Sequence, residues 1–454
     1  MNRRVNDLGK DNVGRLLFRL ALPAIIAQVV NALYNIVDRI YIGHIKGVGD
    51  IALTGVGLCF PVIMFISALS ALIGMGGGTR AATAMGEGDK EKAERILGNC
   101  FSLAVIASVA VIILFQVIKR PMLYLFGASD NTIDYAISYI GIYLWGTLFV
   151  QISMGINNFI TCQGFSTFSM ATTLIGAAAN IILDPLFIFG FGLGVKGAAL
   201  ATIISQFISA AWVIRFLTGK KTGLRLNPSY FRLKAGIILP VVAIGVSPFI
   251  MQATESLVNI AFNYSLSRFG GDIAVGAMTI CSSVAQVFSL MIQGLAQGAQ
   301  PIVSYNYGAK QIDRVKKVFR LFLICAFSFT VFCTGLAELF PGMFVGLFND
   351  KPELVNISVW ALRIYAAGFW MMGVQTACQQ TFVGLGQARI SLLLALLRKI
   401  ILLIPLIFIL PVFIDDKVFA VFLAEPIADI CAACTTGCLF AVKFPKILRK
   451  RMAQ

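Results

Sequence analysis

The sequence predicts an all-α integral membrane protein of twelve transmembrane helices, arranged as two parallel six-helix repeats. Three observations predict it. The chain is apolar along its length, with 58% hydrophobic and 13% charged residues and a mean hydropathy of +0.85, where soluble domains carry roughly 25% charged residues. Apolar stretches alternate twelve times with short charged, Gly- or Pro-bearing segments. The second half also lies on the first in one register, with Gly49-Asp50-Ile51-Ala52 on Gly271-Asp272-Ile273-Ala274.

A bilayer core takes about 20 apolar residues per helix, so twelve spans use roughly 240 positions. Of 454 residues, the remainder makes loops and tails but no second soluble domain. The spans are expected near 16–42, 51–74, 97–118, 133–162, 169–191, 196–218, 237–267, 273–300, 321–348, 355–385, 390–414 and 418–442. The polar stretch Met1 to Lys10 enters span one without a small-residue cleavage site, so span one is expected to act as the insertion signal. Spans four and five are separated only by Gln163–Phe168 and form a tight hairpin.

The net charge of +16 would suggest a nucleic-acid partner in a soluble protein. Here its distribution reads as topology, and no nucleic acid is expected. Of 37 Lys and Arg, 28 fall in one set of alternate segments, around 3–19, 80–95, 215–234, 310–320, 389–399 and 443–451. Arg3 and Arg4 belong to that set. The opposite set holds seven: Lys46, Lys119, Arg120, Lys196, Arg268, Lys351 and Lys417. Arg39 and Arg363 lie near the outer ends of spans one and ten. The richer set is cytoplasmic by the positive-inside rule, which puts both termini inside and requires an even number of spans.

The repeat extends well beyond the first match. Cys59 falls on Cys281, Gly76 on Gly298, Gly86 on Gly308, Tyr143 on Tyr365 and Gly164 on Gly386. Near the start, the register places Pro23 on Pro248 and Asp38 on Asn263. Six helices separate the copies, so both run the same way through the membrane. Parallel repeats mark transporters, with a site between the halves and alternating access by rocking. The chain divides into 1–218, a basic linker at 219–236, and 237–454.

Carboxylates at membrane depth are costly and point to function. The candidates are Asp38 in span one, Asp184 in span five, Glu255 in span seven, and Glu425 with Asp429 in span twelve. Glu338 sits near the outer end of span nine and reads as wet. Asp184 precedes Pro185, which removes a backbone donor and can bend the helix. Asn180 is one turn earlier on the same face. With Thr202 in span six, these oxygens suit a proton or a hard cation such as Na⁺, and serve either equally. The competing reading is that each acid bonds a neighbouring helix for stability. Glu425 suits a packing or a cavity role equally. Asn31, Tyr34, Asn157, Asn158, Gln163, Gln252, Gln293, Gln375 and Gln379 are further candidates to line a central cavity.

Other signals carry less. The ten cysteines lie in apolar stretches and read as small packing residues, including Cys431, Cys434 and Cys438 on one face of span twelve. The glycine run at 74–78 lacks the Lys-Ser/Thr of a phosphate loop and reads as a place where helices approach or bend. His44 is the only histidine, which excludes a histidine relay and a Ser-His-Asp set.

In order and duplicated, several motifs carry a resemblance to the multidrug and toxic compound extrusion (MATE) family over nearly the whole chain. They are Leu22-Pro23 then Asp38, Gly76 to Gly86 with its charged tail, Gln163-Gly164, Asn180 to Asp184-Pro185, Gly197 to Thr202, and Gln300-Pro301 to Tyr307-Gly308. Asn259 to Asn263 and the span-twelve run Ala424-Glu425-Pro426-Ile427-Ala428-Asp429 look like the MepA-like branch. The resemblance implies two lobes forming a V around a central cleft, and Na⁺- or H⁺-driven export of cationic, amphipathic drugs. It implies that Asp38, Asn180, Asp184 and Thr202 form the cation site of the first half. In the antiporter reading, Pro23 and Pro185 are expected as hinges and Glu255 as the counter-charge to a cationic substrate. Glu255 is similar to a span-seven acid of another branch, whose span-ten acid has no counterpart among Phe369–Gly386. The protein is then expected to be a transporter and not an enzyme. It is expected in a bacterial plasma membrane, monomeric, partnered by the lipid bilayer and small organic cations, with no cofactor beyond the coupling ion and no metal centre. Two alternatives compete. A flippase for lipid-linked glycans would need basic residues in the cleft, and only Arg398 and Lys399 qualify, near the cytoplasmic end of span eleven. A membrane transferase would need metal-binding loop acids, but Glu87, Asp89 and Glu91 are interleaved with Lys.

Overall fold

The computed structural model describes residues 6–348 and 352–453. Arg3, Arg4 and Lys351, counted above, lie outside the described residues. Among the described residues, ten helices are long and apolar enough to cross a bilayer. One of them, Ala235–Gly308, is two helices joined at Gly271, whose φ of 63° and ψ of −161° interrupt the helix. A further span is bent by 40° between Pro352–Ala366 and Phe369–Gly384. The expected twelve spans follow.

They are α1 (Val13–Gly43), α2 (Phe60–Gly86), α3 (Lys90–Leu125), α4 (Ile133–Thr161), α5 (Ser166–Gly190), α6 (Val195–Thr218), α7 (235–270), α8 (272–308), α9 (Ile312–Leu339), α10 (352–384, bent), α11 (Ala388–Phe413) and α12 (Lys417–Met452). Capping fixes several starts. Asn12 accepts from the amides of Gly14 and Arg15, Asp89 from Lys92 at 2.9 Å, and Asp416 from Phe419 at 3.0 Å. The repeat is visible in the backbone. α3 and α9, α5 and α11, and α6 and α12 begin at matched positions: Lys90 and Ile312, Ser166 and Ala388, Val195 and Lys417. The tight turns before α5 and α11 share a left-handed glycine, Gly164 at φ 89° and Gly386 at φ 70°.

Several helices run past their expected ends, and in two spans an element itself differs. Span two, expected at 51–74, is a short helix Gly49–Gly57 followed by α2, which runs on to Gly86. The glycine run lies inside α2, where it lets backbones meet. A methyl on Gly76 would overlap the Val241 carbonyl, and one on Gly245 would overlap Leu72. Span nine ends earlier, at Leu339, and a separate helix Pro341–Gly346 follows.

The halves are packed crosswise. Leu16, Leu17 and Leu20 of α1 belong to a core built from the second half, with Ile302, Phe322 and Phe382. Reciprocally, Val241 of α7 lies in a core of the first half, with Ile96 and Phe159. The segments leading into these helices follow suit. Leu8 accepts from Asn306 and Arg314, while the linker accepts from Asn99 and Ser102 through Tyr230 and Phe231. Gln163, a cavity candidate, is instead the clasp of this linker. Its Oε1 accepts from Thr222 Oγ1 (3.0 Å) and from the amides of Gly223 (2.8 Å) and Leu224 (2.9 Å).

The cysteines also need correction. Cys59, Cys100, Cys162, Cys281, Cys333 and Cys378 are buried, as packing residues should be. Cys325, Cys431, Cys434 and Cys438 are exposed, so burial between helices does not account for them.

Candidate functional site

The first half gathers the expected acids. Asp184 is fully buried and Asn180 nearly so. The single helical turn between them lets Asn180 Nδ2 donate to Asp184 Oδ1 at 3.1 Å. Beyond Pro185 the helix opens into a wide turn, Leu186–Gly190, the local loosening expected where a proline removes a donor. Asp38 of α1 faces the Asp184 carboxyl across the α1–α5 contact. Three oxygens here are buried without a hydrogen-bond partner among the described residues: Asp38 Oδ1, Asn180 Oδ1 and Asp184 Oδ2. Buried polar atoms are rarely left so. Thr202 donates its hydroxyl back to the Ala198 carbonyl at 3.0 Å and is linked to the acids through Tyr139.

Three tyrosines close the pocket. Tyr34, expected in the substrate cavity, lies one turn from Asp38 and faces both Asp38 and Asp184. Tyr139 faces Thr202 and Asp38, and Tyr143 faces Tyr34 and Asp38. Tyr139 and Tyr143 are buried and stacked, with ring centroids 5.9 Å apart. Neither was expected. Their four-residue spacing on α4 was the available signal, but tyrosine near a span end is ordinary interfacial anchoring.

The second half corrects the reading of its acids. Glu255 is not a lone carboxylate, because Lys399 Nζ donates to it. Glu425 is buried rather than open to a cavity, and receives Arg398 Nη2 at 3.3 Å. Asp429 receives Arg398 Nε at 2.7 Å. Arg398 and Lys399 therefore lie about 15 Å along α11 from its start, in its middle and not at its end.

The remaining cavity candidates scatter. Asn157 is buried in a network joining α4 to α5, donating to Ser169 Oγ at 2.9 Å and accepting from Thr172 at 3.1 Å, so it lines no cleft. Asn158 caps its own helix turn through Met154, and with Gly78, Thr79 and Gln300 lines a narrow cavity between the halves. Gln293 is exposed, and Gln252 and Asn31 are half-buried. Gln375 and Gln379 are buried, Gln379 against Met251. Pro23 sits within an unbroken α1, between Ala21 and Ile25, which press on Gly298 and Gly294 of α8.

The halves are held together near the ends that carry the termini. Gln300 donates to Thr79 at 2.7 Å, and Arg451 donates to Glu87 at 2.6 Å and to the Gly308 carbonyl at 3.1 Å.

Two crossed six-helix repeats, with unpartnered carboxylate oxygens inside one of them, define a multi-pass membrane protein of the transporter class. The MatE family pattern matches residues 23–186 and again 248–409, once in each repeat, and the chain belongs to that family. Among its relatives, the multidrug export protein MepA of Staphylococcus saprophyticus is 24% identical over 402 residues, 88% of either chain. MepA of Staphylococcus aureus is 24% identical over 425 residues, 93% of either chain. Similar solved structures include a MATE protein in the bent conformation, with a TM-score of 0.91 and 23% identity over 97% of this chain and 98% of that one. The straight conformation gives 0.92 and 22% over 99% and 100%. A MOP superfamily transporter from Pyrococcus furiosus, whose reverse polarity of binding pocket suggests a different function, gives 0.91 and 22% over 98% and 99%. These likenesses carry the fold. The charge of the pocket has to be read from this chain's own residues.

Proposed function

We propose that the protein is a multidrug antiporter, exporting cationic amphipathic compounds by alternating access against inward flow of H⁺ or Na⁺. The observation that carries this reading is the oxygen cradle of Asp38, Asn180 and Asp184, buried and short of donors. Two carboxyl groups that face each other at membrane depth are eased by a proton or a small cation between them. Asp38 and Asp184 would hold the coupling ion directly. Asn180 Oδ1 and Thr202 Oγ1 would complete its shell. Tyr139 and Tyr143 would shield it from the bilayer.

The ion ties α1 to α5, and α1 carries Pro23 where it presses on α8. Bending α1 at Pro23, with Pro185 easing α5, would pass the binding event to the interface between the halves. That motion is the proposed link between ion entry and drug release. The excess of Lys and Arg at the ends joined by Gln300–Thr79 and Arg451–Glu87 supports a cytoplasmic placement of both termini in a bacterial plasma membrane. The halves then meet on the cytoplasmic side, which fits an outward-facing state. The staphylococcal relatives are named multidrug export proteins, which supports the export of drugs. A lipid-linked glycan flippase is not favoured, because both Arg398 and Lys399 are already neutralised by acids.

The test is drug accumulation in cells expressing Asp38→Asn or Asp184→Asn. Coupling free energies of about 1–3 kcal/mol correspond to roughly 5–150-fold effects. Either variant should lower export by at least about fivefold at matched expression. Export at the wild-type rate from either one removes the ion role.

A further inference from the structure

Apart from the oxygen cradle, five ionisable side chains meet at membrane depth in the second half. Glu255 comes from α7, Arg398 and Lys399 from α11, and Glu425 and Asp429 from α12. Three acids face two bases, so the group is one cation short. Charges inside a membrane almost always face a water-filled cavity or one another rather than lipid. The exposures divide the group along that line. The side chain of Glu255 is 58% exposed, while those of Lys399 (7%), Glu425 (10%) and Asp429 (3%) are enclosed. Glu255 is therefore the face that the group turns to water.

The backbone explains how neighbours serve different acids. Arg398 and Lys399 lie in a wide helical turn, Leu397–Leu403. Such turns displace successive side chains relative to a regular helix and recur at functional sites. Arg398 holds α12 through two acids. Lys399 reaches the other way, to α7. Arg398 is closer to Asp429 (2.7 Å) than to Glu425 (3.3 Å), so Glu425 is the less satisfied carboxylate. Lys399 is also within electrostatic reach of Glu425.

We propose that Lys399 is a tethered cation standing in the cargo's place on Glu255, and that a monovalent organic cation enters by displacing the Lys399 ammonium toward Glu425. The inference rests on reading the protein as a cation exporter. With cargo bound, three cations meet three acids and no charge is left over. When cargo leaves, Lys399 returns to Glu255, so the one-cation deficit falls on Glu425 and Asp429, which share Arg398. Lys399 thus sets the affinity and favours release. It also selects for charge: a neutral compound of the same shape cannot displace it.

The test is equilibrium binding of tetraphenylphosphonium to the purified full-length protein in lipid nanodiscs, with neutral triphenylphosphine oxide as comparator. Removing the competing ammonium in Lys399→Gln should tighten cation binding by roughly tenfold, the effect of about 1.4 kcal/mol, and leave neutral binding unchanged. Lys399→Arg should bind as wild type does. Glu425→Gln removes the displaced ammonium's destination. It should weaken cation binding in the wild-type background and have no effect in the Lys399→Gln background. Wild-type cation affinity in Lys399→Gln, or a loss that is equal for cation and neutral compound, overturns the tethered-cation role and leaves the exporter reading standing. Binding of neither cation nor neutral compound by any form, wild type included, overturns both.

Discussion

Gln163 shows what a single side chain contributes here. Its amide oxygen collects a hydroxyl and two backbone amides of the linker, while its Nε2 donates to Phe159 at 2.7 Å. Removing it strands buried donors that cost about 1–3 kcal/mol each when unpaired. Gln163→Ala is therefore expected to loosen residues 219–226 and speed tryptic cleavage after Lys220 or Lys221 several-fold. An unchanged digestion rate would mean that the clasp is redundant. From sequence, Gln163 stood out as a turn residue of the Gln163-Gly164 motif, but its role was not legible because its partners lie some sixty positions away. Asp38 and Asp184 were legible for the opposite reason: a carboxylate within an apolar span stands out whatever it touches. The pairing of Glu255 with Lys399 was not legible, since 144 residues separate them. That pairing changed Glu255 from a free counter-charge into an occupied one.

At the scale of elements, the spans and their duplication could be read because each must be long and apolar, and because the repeat preserves turn positions such as Gly164 and Gly386. The extent of α2 could not. A glycine run ends helices in water, but inside a membrane it allows close backbone contact, and α2 continues through residues 74–78 to meet α7. The last turn of α12 makes a different contact, which yields a prediction. Arg451 bridges Glu87 of the first half to the Gly308 carbonyl of the second and stacks over Tyr307 at 5.3 Å. Burial pushes the Glu87 carboxyl up, but Lys92 and Arg451 outweigh it and hold the group below the ordinary 4.5. A depressed carboxyl favours the latched form above its ordinary value and loses that contribution only as pH falls through the lowered one. The latch should therefore be constant between about pH 6 and 8. Glu87→Gln should weaken it by about 1 kcal/mol, roughly a fivefold shift toward the unlatched form. Spin labels across the two halves would measure that shift at both pH values. A strongly pH-dependent latch in the wild-type protein would contradict this account.

The whole molecule combines a symmetric scaffold with asymmetric chemistry. Each half contributes the first part of its leading helix to the other's core, so neither half moves without repacking α1 or α7. The first half holds oxygens without partners; the second holds charges that are nearly balanced. On this account the first binds the driving ion, the second receives the cargo, and the crossed helices convert one event into the other. The most direct test uses proteoliposomes carrying an imposed Na⁺ gradient or an imposed pH gradient, challenged with tetraphenylphosphonium. The wild-type protein should dissipate one of the two gradients when the compound is added, and Asp184→Asn should dissipate neither. Equal dissipation by Asp184→Asn, or transport of the compound by the wild-type protein with both gradients intact, would contradict the coupling.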